Sequence, residues 1–231
     1  MQETSIKTTM IAFPHNEHET PAYLARPDDD SASHPGVVVL QEWWGLVPHI
    51  KDVAERFARE GFVALAPDLY HGAHAEEPDE ARKLAMALDR QRAVDEIRSA
   101  VRYLQQLDPV QPSKVGVVGW CMGGGLALST AADDDNVGAV VAFYGSPLAA
   151  SDVSRIEAPV LGLYAGQDRG IPVAVVHEFE DALQQHRVPH EIHIYPNTHH
   201  AFFNDTREVY DQDASADAWE RTLAWFRQHL Q

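Results

Sequence analysis

A single cysteine, Cys121, stands in the 231-residue chain. No internal disulfide framework can form, and nothing in the sequence calls for an oxidising compartment. Positive charge is scarce as well: 18 Lys and Arg stand against 35 Asp and Glu, a formal net charge of −17. A surface of that sign repels phosphate backbones and anionic lipid, which excludes nucleic acid and membrane as expected partners. No apolar run is as long as a membrane-spanning helix, and residues 1–10 lack the apolar core of a secretory signal. A cytoplasmic location is the expectation. Internal repeats, long linkers and low-complexity tracts are missing too. The polar stretches 28–33 and 133–136 read as solvated turns rather than metal loops.

What is present suits one substantial core. Hydrophobic residues make up 45% of the chain and charged residues 23%, ordinary values for a globular protein, and the length fits a single domain over 1–231. Short apolar, β-branched runs occur at 37–40, 63–66, 115–119, 139–143, 160–164 and 192–195. Continuous apolar runs of this length predict strands covered on both faces, as in a parallel sheet. Amphipathic stretches at 50–59, 81–88, 93–107, 126–132, 173–186 and 214–230 alternate with them. The last of these places Trp219, Leu223, Phe226 and Leu230 on one stripe. Residues 6–13 and 22–26 read as an antiparallel start. Strand–helix alternation predicts an α/β sheet with helices on both faces and an active site at the carboxyl ends of the strands.

The segment Lys114-Val-Gly-Val-Val-Gly119-Trp-Cys121-Met-Gly123-Gly-Gly125 is the most informative in the chain. It reads as a buried strand, a turn with glycines on both sides of a cysteine, and a helix start. That is the G-x-nucleophile-x-G elbow, with Cys121 where most such enzymes carry Ser. A side chain at the tip of a strand-to-helix turn has a strained backbone, and only residues without a Cβ fit two positions before and after it. A helix N-terminus behind Cys121 supplies free N–H groups and partial positive charge, which favour a thiolate and any oxyanion beside it. The competing interpretation is a glycine-rich turn around a structural, buried cysteine.

An elbow predicts its partners in chain order, acid and then histidine. The run 160–164 leads into Ala165-Gly-Gln-Asp168, which places Asp168 on a loop at a strand's carboxyl end. The next strand runs into Pro196-Asn-Thr-His199-His200-Ala-Phe202, and one of the two histidines can reach back to Cys121. Histidine would activate the nucleophile and then protonate the leaving group. The acid would fix the imidazole's tautomer.

These segments, with Val39-Leu-Gln-Glu42-Trp43-Trp44-Gly-Leu46, Ala66-Pro-Asp-Leu-Tyr70 and Ala142-Phe-Tyr144-Gly145, resemble the dienelactone hydrolase family of α/β-hydrolases over nearly the whole chain. The resemblance implies an α/β-hydrolase fold and hydrolysis of a small ester or lactone, with no cofactor and no metal. It maps the catalytic Cys, Asp and His to Cys121, Asp168 and His200. It makes the backbone N–H groups of Met122 and Trp43 the oxyanion donors, and it places Glu42 against the resting cysteine. A carboxylate there disfavours the thiolate, keeping Cys121 protonated until substrate arrives. Trp44, Tyr70, His71, Tyr144 and Asn204 are the candidate substrate contacts.

The sequence also departs from the pattern. Founding members of the family hold a substrate carboxylate with two arginines, at positions where Gly72 and Asn204 stand here. Neither residue can replace a bidentate guanidinium, so weak preference for carboxylate-bearing lactones is expected. Other readings are a carboxylesterase or thioesterase for acyclic substrates, or a ligand-binding sensor with negligible turnover. Among the thirteen histidines, His190 and His193 fall on opposite faces of a strand and cannot converge on a metal. His71 and His74 lie in a loop near the predicted mouth, and 79–88 lies where a small lid would.

Overall fold

The computed structural model describes residues 4–29 and 32–230; of the predicted polar loop 28–33, Asp30 and Ser31 lie outside the described residues. Eight strands form one sheet in the order β1-β2-β4-β3-β5-β6-β7-β8. They are β1 Ile6–His15, β2 His18–Pro27, β3 Gly36–Leu40, β4 Val63–Pro67, β5 Val115–Trp120, β6 Val137–Phe143, β7 Val160–Ala165 and β8 His190–Tyr195. The first two pair antiparallel with each other and β2 pairs antiparallel with β4; every pairing from β4 to β8 is parallel. The antiparallel start is longer than the sequence suggests. Polar residues such as His18 and Glu19 continue the ladder past the apolar run, and Asn16, at φ 53°, closes the hairpin.

The helices are α1 Pro48–Arg59, α2 Pro78–Ala87, α3 Arg90–Gln105, α4 Met122–Asp133, α5 Ala150–Val153, α6 Val173–Gln185 and α7 Gln212–His229. Only α5, a single turn too short to show a period, has no counterpart in the sequence reading. Strands β3 to β7 are buried at every position. Their side chains alternate between two cores: Val37 and Val39 face the core built with α1 and α7, while Val38 and Leu40 face the core built with α3, α4 and α6. Along α7, Leu223, Phe226 and Leu230 are buried, and Trp219 packs on Phe57 with ring centroids 4.6 Å apart. Among the described residues no helix is long and apolar enough to cross a membrane.

The topology places the site. From β3 the chain moves outward to β4 on one side, and from β5 to β6 on the other, although β3 and β5 are neighbours. The loops leaving the carboxyl ends of β3 and β5 therefore part and leave a crevice at the switch point. Glu42 follows β3 and Cys121 follows β5.

Candidate active site

Cys121 adopts φ 55° and ψ −117° between β5 and α4, a conformation that L-residues avoid. Such strain costs about 1–3 kcal/mol and persists only where the surroundings over-determine it. Here they do. Cys121 N–H donates to Phe143 C=O at 3.0 Å, and its own C=O accepts from Gly124 N–H at 3.1 Å. A Cβ on Gly119 would lie 2.2 Å from the Gly123 carbonyl oxygen, and one on Gly123 would lie 2.5 Å from that of Gln41. The glycines two before and two after the cysteine are thus required by close backbone approach, as the sequence predicts. Met122 opens α4, so its N–H has no intrahelical acceptor.

Asp168 lies on the loop after β7 with its side chain buried. Its Oδ1 accepts from the N–H groups of Gly170 at 2.8 Å and Ile171 at 3.1 Å, and its Oδ2 meets His200 Nδ1 at 2.6 Å. Burial opposes the charge, but the His200 bond and the two backbone donors outweigh it and hold the carboxyl below its usual range. His200 is half-buried, which disfavours the imidazolium. Its hydrogen bond to Asp168 and the nearby Cys121 prevail and push its pKa up to about 10. His199, one residue earlier, is exposed in the turn.

Glu42 is 2% exposed. Its Oε2 accepts from Asn204 Nδ2 at 2.6 Å and its Oε1 from the Tyr144 hydroxyl at 3.4 Å. Burial raises its pKa, against the pull of His49, the Asn204 hydrogen bond, His200 and Tyr144. Tyr144, at φ 37°, lays its ring 5.0 Å from that of His200.

A cavity of about 460 Å³ opens over these groups, lined by Glu42, Trp43, Trp44, Cys121, His200 and Arg207 among others. The two tryptophans meet edge to face at 5.2 Å, and the Arg207 guanidinium lies 3.7 Å over the Trp44 ring. The structure therefore brings Cys121, His200, Asp168, Glu42, Trp43 and Trp44 together. It sets four of the candidate contacts apart. Tyr144 is fully buried with its hydroxyl on Glu42 and does not line the cavity. Asn204 is 1% exposed and stands behind Glu42, with its Oδ1 occupied by Thr206. Tyr70 and His71 line a neighbouring cavity of about 230 Å³ under α2, where His71 Nε2 meets Glu96 at 3.1 Å. The segment 79–88 forms α2, which packs through Ala81 and Leu84 against Trp43 and Trp44 without lining the larger cavity. His49, whose charge reaches Glu42, comes from a sequence position with no local signal. Arg207 arrives because the loop after His200 folds back over Trp44.

A mostly parallel sheet, a cysteine on a strained strand-to-helix turn and an aspartate–histidine pair on the loops after β7 and β8 define an α/β-hydrolase. The particular family follows from comparison: the dienelactone hydrolase family model matches residues 20–230, and the chain belongs to that family of carboxylic-ester and lactone hydrolases. "Protein usf" of Aquifex pyrophilus is 37% identical, the alignment covering 96% of this chain and 98% of that protein. A Synechocystis sp. protein provisionally named carboxymethylenebutenolidase is 32% identical, with 97% and 98% coverage. A crystal structure from Klebsiella pneumoniae, provisionally described as a dienelactone hydrolase, superposes with TM-score 0.90 at 29% identity, covering 97% of this chain and 99% of that one.

Proposed function

We propose that this single-domain hydrolase cleaves small esters or lactones through an acyl-enzyme on Cys121. The observation that carries the reading is the cysteine on the strained tip of the elbow, sharing one cavity with a histidine whose Nδ1 meets a buried aspartate at 2.6 Å. With the proton on His200, the Cys121 thiolate attacks the carbonyl carbon while the π pair moves to oxygen. The N–H groups of Met122 and Trp43 stabilise that oxyanion. Collapse expels the alkoxide, which receives the proton from His200 and leaves a thioester. Water, deprotonated by His200, then attacks the thioester, and the thiolate departs and regains the proton. Asp168 orients the imidazole throughout. Glu42 stands in the wall of the same cavity as Cys121, where a substrate entering the site meets both. The walls, with two tryptophans and few polar groups, suit a compact, largely apolar acyl or lactone portion.

The test is turnover of p-nitrophenyl acetate by Cys121→Ala. Activity should fall by at least about 10³-fold, since a nucleophile acts as one unit with its base. A slowly released ester should leave one acyl group on Cys121, visible by intact mass. Residual activity above a tenth of wild type would remove Cys121 as nucleophile.

A further inference from the structure

The loops after β3 and β4 are tied together directly behind the proposed oxyanion site. Gln41, fully buried, accepts from Leu69 N–H through Oε1 at 3.2 Å. Trp44 C=O accepts from Ala75 N–H at 3.0 Å. Between these ties, the Tyr70 hydroxyl donates to Trp43 C=O at 3.2 Å and has Met122 Sδ at 3.4 Å as its second acceptor. Trp43 and Met122 are the two residues whose N–H groups would hold the oxyanion. They come from different strands, with 78 residues of chain between them, and nothing in their local sequence fixes their separation. One phenol touches both.

The phenol is itself held rigidly. Asp68 accepts from Tyr70 N–H through Oδ1 at 3.1 Å and from Gly72 N–H through Oδ2 at 2.7 Å. His71, at φ 52°, is anchored by the nearly inaccessible Glu96, which also receives Arg92 Nε at 2.8 Å. A strained loop fastened at both ends presents the hydroxyl in one place, which is what a preorganised electrostatic site requires. The Tyr70 hydroxyl also senses the sulfur: burial first and the Cys121 charge second raise its pKa. Two elements that would otherwise drift relative to each other are bridged within reach of the reacting atoms.

We propose that Tyr70 is the positioning residue of the oxyanion hole, bracing the Trp43 and Met122 donors through its hydroxyl rather than binding substrate from the cavity wall. The inference rests on the cysteine-dependent reading above, and its test separates the two. Tyr70→Phe keeps the ring and removes only the bridging hydroxyl. On p-nitrophenyl acetate, kcat should fall about tenfold with KM within twofold, as expected when an interaction made in the transition state is weakened. Affinity for an aryl trifluoromethyl ketone, which forms a tetrahedral adduct on a thiol, should fall by the same factor as kcat. Affinity for the planar product acetate should not change. The rate of Cys121 alkylation by iodoacetamide forms no oxyanion, so it should match wild type. Unchanged kcat and ketone affinity would overturn the brace while leaving the Cys121 reading intact. A rise in KM with kcat constant would overturn it in favour of substrate contact. A fall in the alkylation rate matching the fall in kcat would overturn it in favour of an effect on the thiol.

Discussion

The loop after β7 and the loop after β3 each bring a buried carboxylate to one site, and the fold treats the two in opposite ways. Asp168 receives two backbone N–H groups and a histidine that becomes positively charged, so its carboxyl is held below the ordinary range. Glu42 receives one amide and one distant phenol, so burial dominates and its carboxyl is pushed up. Identical chemistry thus yields a fixed anion that orients an imidazole and a neighbour whose charge is conditional. What separates them is the number and strength of the donors the backbone presents, since both side chains are removed from water.

The largest effects should come from the β7 side. Asp168→Asn and His200→Ala should each lower kcat by about 10³–10⁴-fold, the range found when a triad's acid or base is lost. His199→Ala should stay within threefold of wild type. Steady-state hydrolysis of a nitrophenyl ester measures all three. A reversal between the two histidines would move the base by one residue.

The pH dependence of stability should separate the carboxylates by sign. Asp168 has a lowered folded pKa, so its contribution is present above its unfolded value and is lost as pH falls through the folded one. Glu42 has a raised folded pKa, so its contribution is present below its unfolded value and is lost as pH rises through the folded one. Compared with wild type, Asp168→Asn should lose Tm at pH 7, with the deficit shrinking towards pH 3. Glu42→Gln should match wild type at pH 4 and gain on it towards pH 8. Scanning calorimetry across this range would expose parallel rather than opposed trends, and those would end the comparison.

Asn204→Leu should act only on the β3 side. It removes the 2.6 Å donor from Glu42 and leaves a buried acceptor poorly satisfied, at a cost of about 1–3 kcal/mol. Chemical denaturation should show that loss. Asp168-dependent behaviour should remain as in wild type.

How much of this was legible in the sequence depends on how local each signal is. The elbow and Asp168 each follow a buried strand and His200 follows the half-buried edge strand β8, all within a few residues, so periodicity and glycine spacing reveal them. The family resemblance then chooses between His199 and His200 and singles out Glu42. The support of Glu42 is not local. Asn204 is 162 positions from its partner, and only the fold shows that it faces a carboxylate rather than the cavity. The Tyr70 hydroxyl likewise serves residues 27 and 52 positions away. Helix α5 and the polar ends of β1 and β2 escaped because one turn carries no period and an exposed hairpin needs no apolar run.

The smallest expected effect concerns substrate charge, where the structure sharpens the loss of the family's two arginines. Gly72 sits at φ +95°, so an arginine there would be strained although its Cβ meets nothing within 4 Å. Asn204 is buried against Glu42, so an arginine there would be forced into a filled space instead of reaching the cavity. Transplanting the pair should therefore not restore carboxylate recognition, and Asn204→Arg should destabilise the fold. The cation already in the cavity wall is Arg207. Its guanidinium stacks on Trp44, and its Nε is buried with no hydrogen-bond partner among the described residues. Stacking leaves the guanidinium's edge free for an anion. Against that stands the chain's net charge of −17, which disfavours anions at long range. A single half-exposed contact in that field should change selectivity only slightly. Arg207→Gln should lower kcat/KM for a carboxylate-bearing lactone about three- to tenfold relative to a neutral lactone of the same size, the scale of one exposed charge-assisted bond of about 0.6–1.4 kcal/mol. Equal losses on both lactones would make Arg207 a packing partner of Trp44 with no part in selecting substrate.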